Sequence, residues 1–198
     1  MADALTIGLG MAAGLGLAAA SGLRVFLPAF AAGLAIRFLD VPAQEGFHWL
    51  GSTPALLGLG TATVVEIGAY YVPWLDNLLD TVATPAAVLA GILTSAALFV
   101  GLDPFLQWTC ALVAGGGVAG TVQSATVVTR ALSSGTTGGV ANVLVSTLEN
   151  VLAVVLAALS ILAPALAGVA VLAAIVVAAR RVRLGRRRRR ERQEAVAR

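Results

Sequence analysis

From Thr81 to Leu102 the chain carries no charged side chain, and the same pattern recurs at Ala4–Leu23, Phe105–Val122 and Leu162–Ala179. About 20 uncharged, mostly apolar residues rising about 1.5 Å each match the roughly 30 Å hydrocarbon core of a bilayer. In hydrocarbon every backbone N–H and C=O must be paired within the segment, and a run of this kind meets that demand as a helix. An all-α, polytopic transmembrane helical bundle is the expected fold. Composition supports it: 59% of the residues are apolar and 12% charged, whereas about a quarter of a soluble domain is charged.

The residue inventory also narrows the chemistry. With one histidine (His48), one cysteine (Cys110) and no lysine, the chain cannot build a His/Cys zinc site, an internal disulfide, a Schiff base or a Walker-type phosphate loop. No cofactor, no metal and no enzymatic activity are expected. The glycine run around Gly8 and Gly10 imitates a dinucleotide signature, but no strand precedes it. With Gly14 and Gly16 it reads instead as a small-residue face for another helix, and Gly115, Gly116, Gly117 and Gly120 form a second. Such faces could also join two copies of the chain.

Charge is divided unevenly. Residues 1–179 hold eight acids against three arginines, a net −5, while residues 180–198 hold ten arginines against two acids, a net +8. A basic segment directly after an apolar span reads as a cytoplasmic anchor by the positive-inside rule, in preference to a nucleic-acid arm. Arg180, Arg181, Arg183, Arg186, Arg187, Arg188, Arg189 and Arg190 are the side chains expected to meet anionic lipid headgroups. Like-charge repulsion predicts a tail disordered beyond its first turn. The organisation expected is a single membrane domain, 1–179, followed by the tail, 180–198.

Two segments are predicted to be short or broken. Arg24–Arg37 contains Pro28 and too few apolar residues for an untilted crossing, and Gln123–Asn142 is rich in Ser, Thr and Gly around Arg130. Ser52–Tyr71, Val143–Leu159 and the uncharged runs complete about six spans plus two re-entrant or broken helices. Tyr70, Tyr71 and Trp74 read as an interfacial aromatic belt. The order of elements suggests an inverted internal repeat with halves 4–102 and 103–179. An even number of crossings would leave both termini in the cytoplasm, with the protein in the cell (inner or plasma) membrane.

Glu66 and Glu149 are each the one carboxylate of an apolar span, and each follows a hydroxyl residue by three positions (Thr63, Ser146). A carboxylate deep in a bilayer costs a few kcal/mol and turns toward a partner or a cavity. Arg24 and Arg130 are the available partners, with Ser21 beside the first break. These residues form either a midplane ion- or solute-binding centre or a structural lock between the halves; Arg24 could instead snorkel to the interface. Asp76 and Asp80, one helical turn apart, read as a solvated turn, a helix cap or an acidic mouth. Two functions follow: a small secondary transporter or channel-like protein, or a non-transporting scaffold or accessory subunit binding partner helices and anionic lipid.

At SGLRVFLPAF, EIGAYYVPWLDNLLDTVATPAA, GGGVAGTVQ and TRALSSGTTGG the chain resembles the bacterial membrane proteins grouped as domain of unknown function 4126. The resemblance runs from about Gly14 to Leu159 and is most specific at WLDNLLDTVATP and TTGG. It implies a compact prokaryotic integral membrane protein, carries no activity with it, and directs attention to Arg24, Glu66, Asp76, Asp80, Arg130 and Glu149.

Overall fold

A computed structural model describes the backbone of residues 3–137 and 141–196, and the side chains of these residues except 73–80, 178, 182 and 184–196. The described residues form an all-α helical bundle: α1 (Ala4–Ser21), α2 (Phe26–Phe38), α3 (Thr53–Ala69), α4 (Pro73–Leu98), α5 (Pro104–Cys110), α6 (Gly116–Thr137), α7 (Asn142–Leu162) and α8 (Pro164–Val196). A single π-helical turn, Ala111–Gly115, joins α5 to α6 without a break. Five helical segments are long and apolar enough to cross a membrane: Ala4–Ser21, Thr81–Leu98, Pro104–Thr137, Asn142–Leu162 and Pro164–Arg181. The outward faces of α7 and α8 expose Leu144, Leu148, Val155, Leu166 and Val169, surfaces that only lipid or another protein would cover at low cost.

The predicted short element at Arg24–Arg37 is the 13-residue α2, about 20 Å long at the helical rise. The predicted span Ser52–Tyr71 is the 17-residue α3, so five long and two shorter apolar helices stand where about six spans and two short pieces were expected. The second predicted break is corrected. Residues 123–137 continue α6, because the hydroxyls that suggested a break are satisfied within the helix: Ser124 donates to the Gly120 carbonyl, Thr129 to Ala125, Thr136 to Leu132 and Thr137 to Ser133. The rest of that expected break, residues 138–140, lies outside the described residues.

Helix ends follow local chemistry. Asp3 caps α1 by accepting from the Thr6 N–H (2.8 Å), Ser52 caps α3, and Asp103 caps α5 ahead of Pro104. The tail departs from the expected disorder: α8 runs on to Val196. Arginine is a good helix former, and the sequence sets Glu191 and Glu194 one turn beyond Arg187 and Arg190.

Small residues let α1 sit at the centre. A Cβ on Gly10 would lie 2.4 Å from the Leu98 carbonyl oxygen of α4, one on Gly16 2.1 Å from Ser160 Oγ of α7, and one on Gly22 2.5 Å from the Ala119 carbonyl oxygen of α6. Backbones therefore approach more closely than side chains would permit. These contacts also give direction. Gly10 meets Leu98 and Gly14 meets Ser95, so α1 and α4 are antiparallel; Gly91 meets Gly115 and Val88 meets Gly120, so α4 and α6 are antiparallel. Gly60 meets Phe30 and Gly33 meets Leu50 and Leu56, which sets α3 antiparallel to α2. Gln44, between α2 and α3, bonds to Ala97 and Leu102 at the C-terminal end of α4.

Successive passes thus alternate. The start of α1 lies at one end of the bundle, and α8 leaves toward the other, where α1 and α3 end and α7 begins. The Ser/Thr-rich stretch continues α6, and α2 runs back between the end of α1 and the link to α3, so the described helices follow one another in alternating directions along the bundle. The glycine-rich α1 and α6 run parallel while α3 and α7 run in opposite senses, which does not confirm an inverted repeat.

Candidate functional site

The end of the bundle that α8 approaches holds the buried charge. α1 stops at Ser21, and Arg24 in the link to α2 is turned inward, with 1% of its surface exposed; it does not snorkel. Its Nε donates to Asn150 Oδ1, Nη1 to the Leu23 carbonyl (2.6 Å) and to Glu149 Oε2 (3.0 Å), and Nη2 to the Ser146 carbonyl (3.0 Å). Arg130, from the last two turns of α6, donates through Nε to Glu149 Oε1 (3.3 Å) and through Nη2 to Glu149 Oε2. One carboxylate is shared by two buried guanidiniums, and both stack on the ring of buried Tyr70, at 4.3 Å for Arg24 and 4.2 Å for Arg130.

Glu66 joins the same cluster by another route. Its two carboxylate oxygens accept from the backbone N–H groups of Val25 (2.6 Å) and Phe26 (3.0 Å). Those are unpaired donors at the start of α2, a position that favours negative charge. No side chain of α2 caps that end; a carboxylate from α3 does, two residues from Arg24.

Glu66, Glu149, Arg24 and Arg130 are therefore brought together, as the sequence suggested, but toward one end of the bundle and not at its middle. Glu149 is seven positions into α7 and Arg130 seven from the end of α6, about 10 Å of helical rise in each case. Ser21 stays apart: its hydroxyl donates to the Leu17 carbonyl and lies 3.5 Å from Thr94. Asp76 and Asp80 lie in the first turns of α4, and their side chains are outside the described residues, as are those of Arg186–Arg190; Arg180, Arg181 and Arg183 are exposed. Ser146 and Glu149 both fall inside α7, one turn apart.

Residues that the sequence reading did not assign to the site complete it. Asn150 donates to Tyr71 Oη (3.3 Å), Tyr71 Oη pairs with Thr147 Oγ1 (3.1 Å), and the Tyr70 carbonyl accepts from Ser146 Oγ (3.5 Å). Tyr70 and Tyr71 had the look of a belt; the available signal was Asn150, a second polar residue directly after Glu149 in an apolar helix. The hydrogen bonds of Thr147 and Asn150 hold the Tyr71 phenol below its usual pKa.

Beside the cluster lies a cavity of about 460 Å³ between α1, α6, α7 and α8. Its wall is apolar apart from Glu149 and three threonines, Thr121, Thr126 and Thr129. Glu149 thus belongs both to the ion cluster and to the cavity wall.

The sequence model of a family described as a domain of unknown function (DUF4126) matches residues 11–184. No curated protein and no solved structure matches the chain.

Proposed function

The chain is a membrane protein of the DUF4126 family, and from that premise we propose that it is a small secondary transporter or channel-like protein, not an enzyme, with the Arg24–Glu149–Arg130 cluster as its working centre. The observation that carries this reading is the double position of Glu149, shared by two buried arginines and bordering a cavity. Buried charge within a membrane is costly and marks pathways more often than packing. A carboxylate whose counter-charges stand on the α1–α2 link and on α6 can be released by a small helix shift, which is how a centre of this kind would open and close.

The arginine-rich tail supports a cytoplasmic position for the end of the bundle that holds the cluster, in a bacterial inner membrane, with anionic lipid headgroups as partners of Arg180, Arg181 and Arg183. On this reading the start of α1 lies on the opposite face, in place of the cytoplasmic side expected for both termini. Exposed apolar faces on α7 and α8 are available to lipid or to a second copy of the chain.

A second reading, a scaffold locked by the same cluster, is favoured by Glu66, whose two oxygens are occupied in capping α2. Flux separates the two. Proteoliposomes containing the purified chain and a trapped pH dye, under an imposed potential, are expected to leak protons, and Glu149→Gln is expected to abolish the leak in a folded protein. Wild-type vesicles that remain tight to protons, sodium and potassium would leave the scaffold as the function.

A further inference from the structure

Along its length α3 packs against α2 and the short 3₁₀ turn His48–Gly51. Its outer face is open: Leu57, Val64 and Val65 are exposed, and a Cβ on Gly68 would meet nothing within 4 Å. The turn that ends it, residues 70–72, reaches α7 instead. Backbone bonds from Tyr70, Tyr71 and Val72 back to Glu66, Gly68 and Ala69 tie this turn to α3, so the turn and the helix would move together.

The two tyrosines of the turn have different places. Tyr70 is buried, its ring against both guanidiniums. Tyr71 stands at the rim, 41% exposed, with its phenol on α7. The direction of each hydrogen bond there is fixed. Thr147 gives its proton to the Val143 carbonyl (2.8 Å), so its oxygen is left to accept and the Tyr71 hydroxyl donates to it. The Tyr71 oxygen accepts from Asn150 Nδ2, while Asn150 Oδ1 faces Arg24 Nε, a group that only donates. The phenol is therefore both donor and acceptor in a chain that ends on Arg24.

These rim bonds differ from those inside the cluster. Tyr71 and Thr147 are exposed, so water can replace their hydrogen bonds as they break, whereas the Arg24–Glu149–Arg130 contacts are buried and have no such substitute. Neither arginine borders the apolar groove between α6, α7 and α8. A tilt of α3 about Glu66, which stays bonded to the start of α2, would lift the Tyr70 ring away and leave the ion cluster intact.

We propose that the turn at residues 70–72 is a lid over the arginine cluster, with the Tyr71 phenol as its latch to α7 and α3 as the arm that moves. Latched, it keeps Arg24 and Arg130 at 1% and 3% exposure; released, it opens them to water at this end of the bundle. The lid acts on the same cluster as the proposed transport centre, but its test reads access and not flux, so either can fail alone.

The test uses the full chain in nanodiscs, phenylglyoxal as the probe of guanidinium access, and mass spectrometry to read each arginine. In the wild type, Arg24 and Arg130 are expected to react far more slowly than the exposed Arg37. Tyr71→Phe, which keeps the ring and removes the hydroxyl, should speed both about tenfold, and Thr147→Val, which removes one acceptor of the latch, by less. Hydrogen exchange across α1 and α6 should stay as in the wild type in both variants, the sign of a local opening. Asp3→Asn, which alters the cap at the opposite end of α1, should leave both arginines protected. Arg24 and Arg130 reacting as fast as Arg37 in the wild type, or no faster in Tyr71→Phe and Thr147→Val, would overturn the lid. So would an acceleration matched by Asp3→Asn or joined by faster exchange throughout α1 and α6, since the arginines would then be reached by unfolding.

Discussion

Arg24 Nη1 donates to Glu149 Oε2 at 3.0 Å, joining residues 125 positions apart in the chain. This bond ties the break after the first helix to the seventh, and Arg130 reaches the same oxygen from α6. The α1–α2 link and α6 thus converge on one carboxylate oxygen of α7.

Removing that carboxylate's charge should be the most damaging conservative change in the protein. Glu149→Gln leaves two buried guanidiniums without their shared counter-ion, and a loss of about 3–5 kcal/mol is expected. Unfolding in detergent measures it. A double-mutant cycle with Arg130→Gln should show strong coupling, the double variant losing much less than the two single losses combined; additive losses would mean that the pair does not act as a unit.

Glu66→Gln should be milder and local. The amide oxygen can still accept from one of the two α2 N–H groups, leaving a single donor short of a partner, about 1–3 kcal/mol. Hydrogen exchange is expected to quicken at the Val25 and Phe26 amides while those of α7 keep their protection. Equal quickening in both helices would show that Glu66 also supports the arginine–Glu149 contacts and does not act on α2 alone.

The glycines divide into two classes. A Cβ on Gly22 would stand 2.5 Å from the Ala119 carbonyl oxygen and one on Gly91 2.4 Å from the Ala119 side chain, whereas Gly8 and Gly117 have nothing within 4 Å. Gly22→Ala and Gly91→Ala should therefore cost about 1–3 kcal/mol through forced displacement of backbone or packed side chains. Gly8→Ala and Gly117→Ala should raise stability by up to about 1 kcal/mol through helix propensity. Thermal unfolding of the four variants checks the ranking.

At the start of α1, hydrogen bonding by Thr6, through its side chain and through the N–H that Asp3 accepts from, holds that carboxyl below its ordinary pKa. Because the folded value is depressed, the stabilisation is complete above the unfolded pKa and is lost as pH falls through the folded one. The wild-type chain should lose stability across that acid interval more steeply than Asp3→Asn, which has no proton to take up. Melting temperatures of the two proteins between pH 6 and pH 2, on the order of the interval where carboxyls titrate, provide the comparison.

Opposite faces are expected for the two ends of the helical run. In a Cys110→Ser background, cysteines at Asp3 and at Arg183 should react with an impermeant maleimide from opposite sides of sealed vesicles. Labelling from one side would restore an even number of crossings.

Membrane insertion, the all-α bundle and the burial of four charged residues were legible in the sequence, because uncharged runs and lone charges inside them are local features that no packing can disguise. The helical state of residues 123–137 was not: a serine or threonine reads as polar in isolation, and only a formed helix shows its hydroxyl bonded four residues back. Nor could the sequence tell that Glu66 caps α2 while Glu149 takes both arginines, since the two carboxylates have near-identical local settings, Thr63 and Ser146 included. Tertiary packing assigned those roles. The glycine contacts of α1 set which helix ends meet, and the direction of each pass decided which donors lay within reach of each carboxylate.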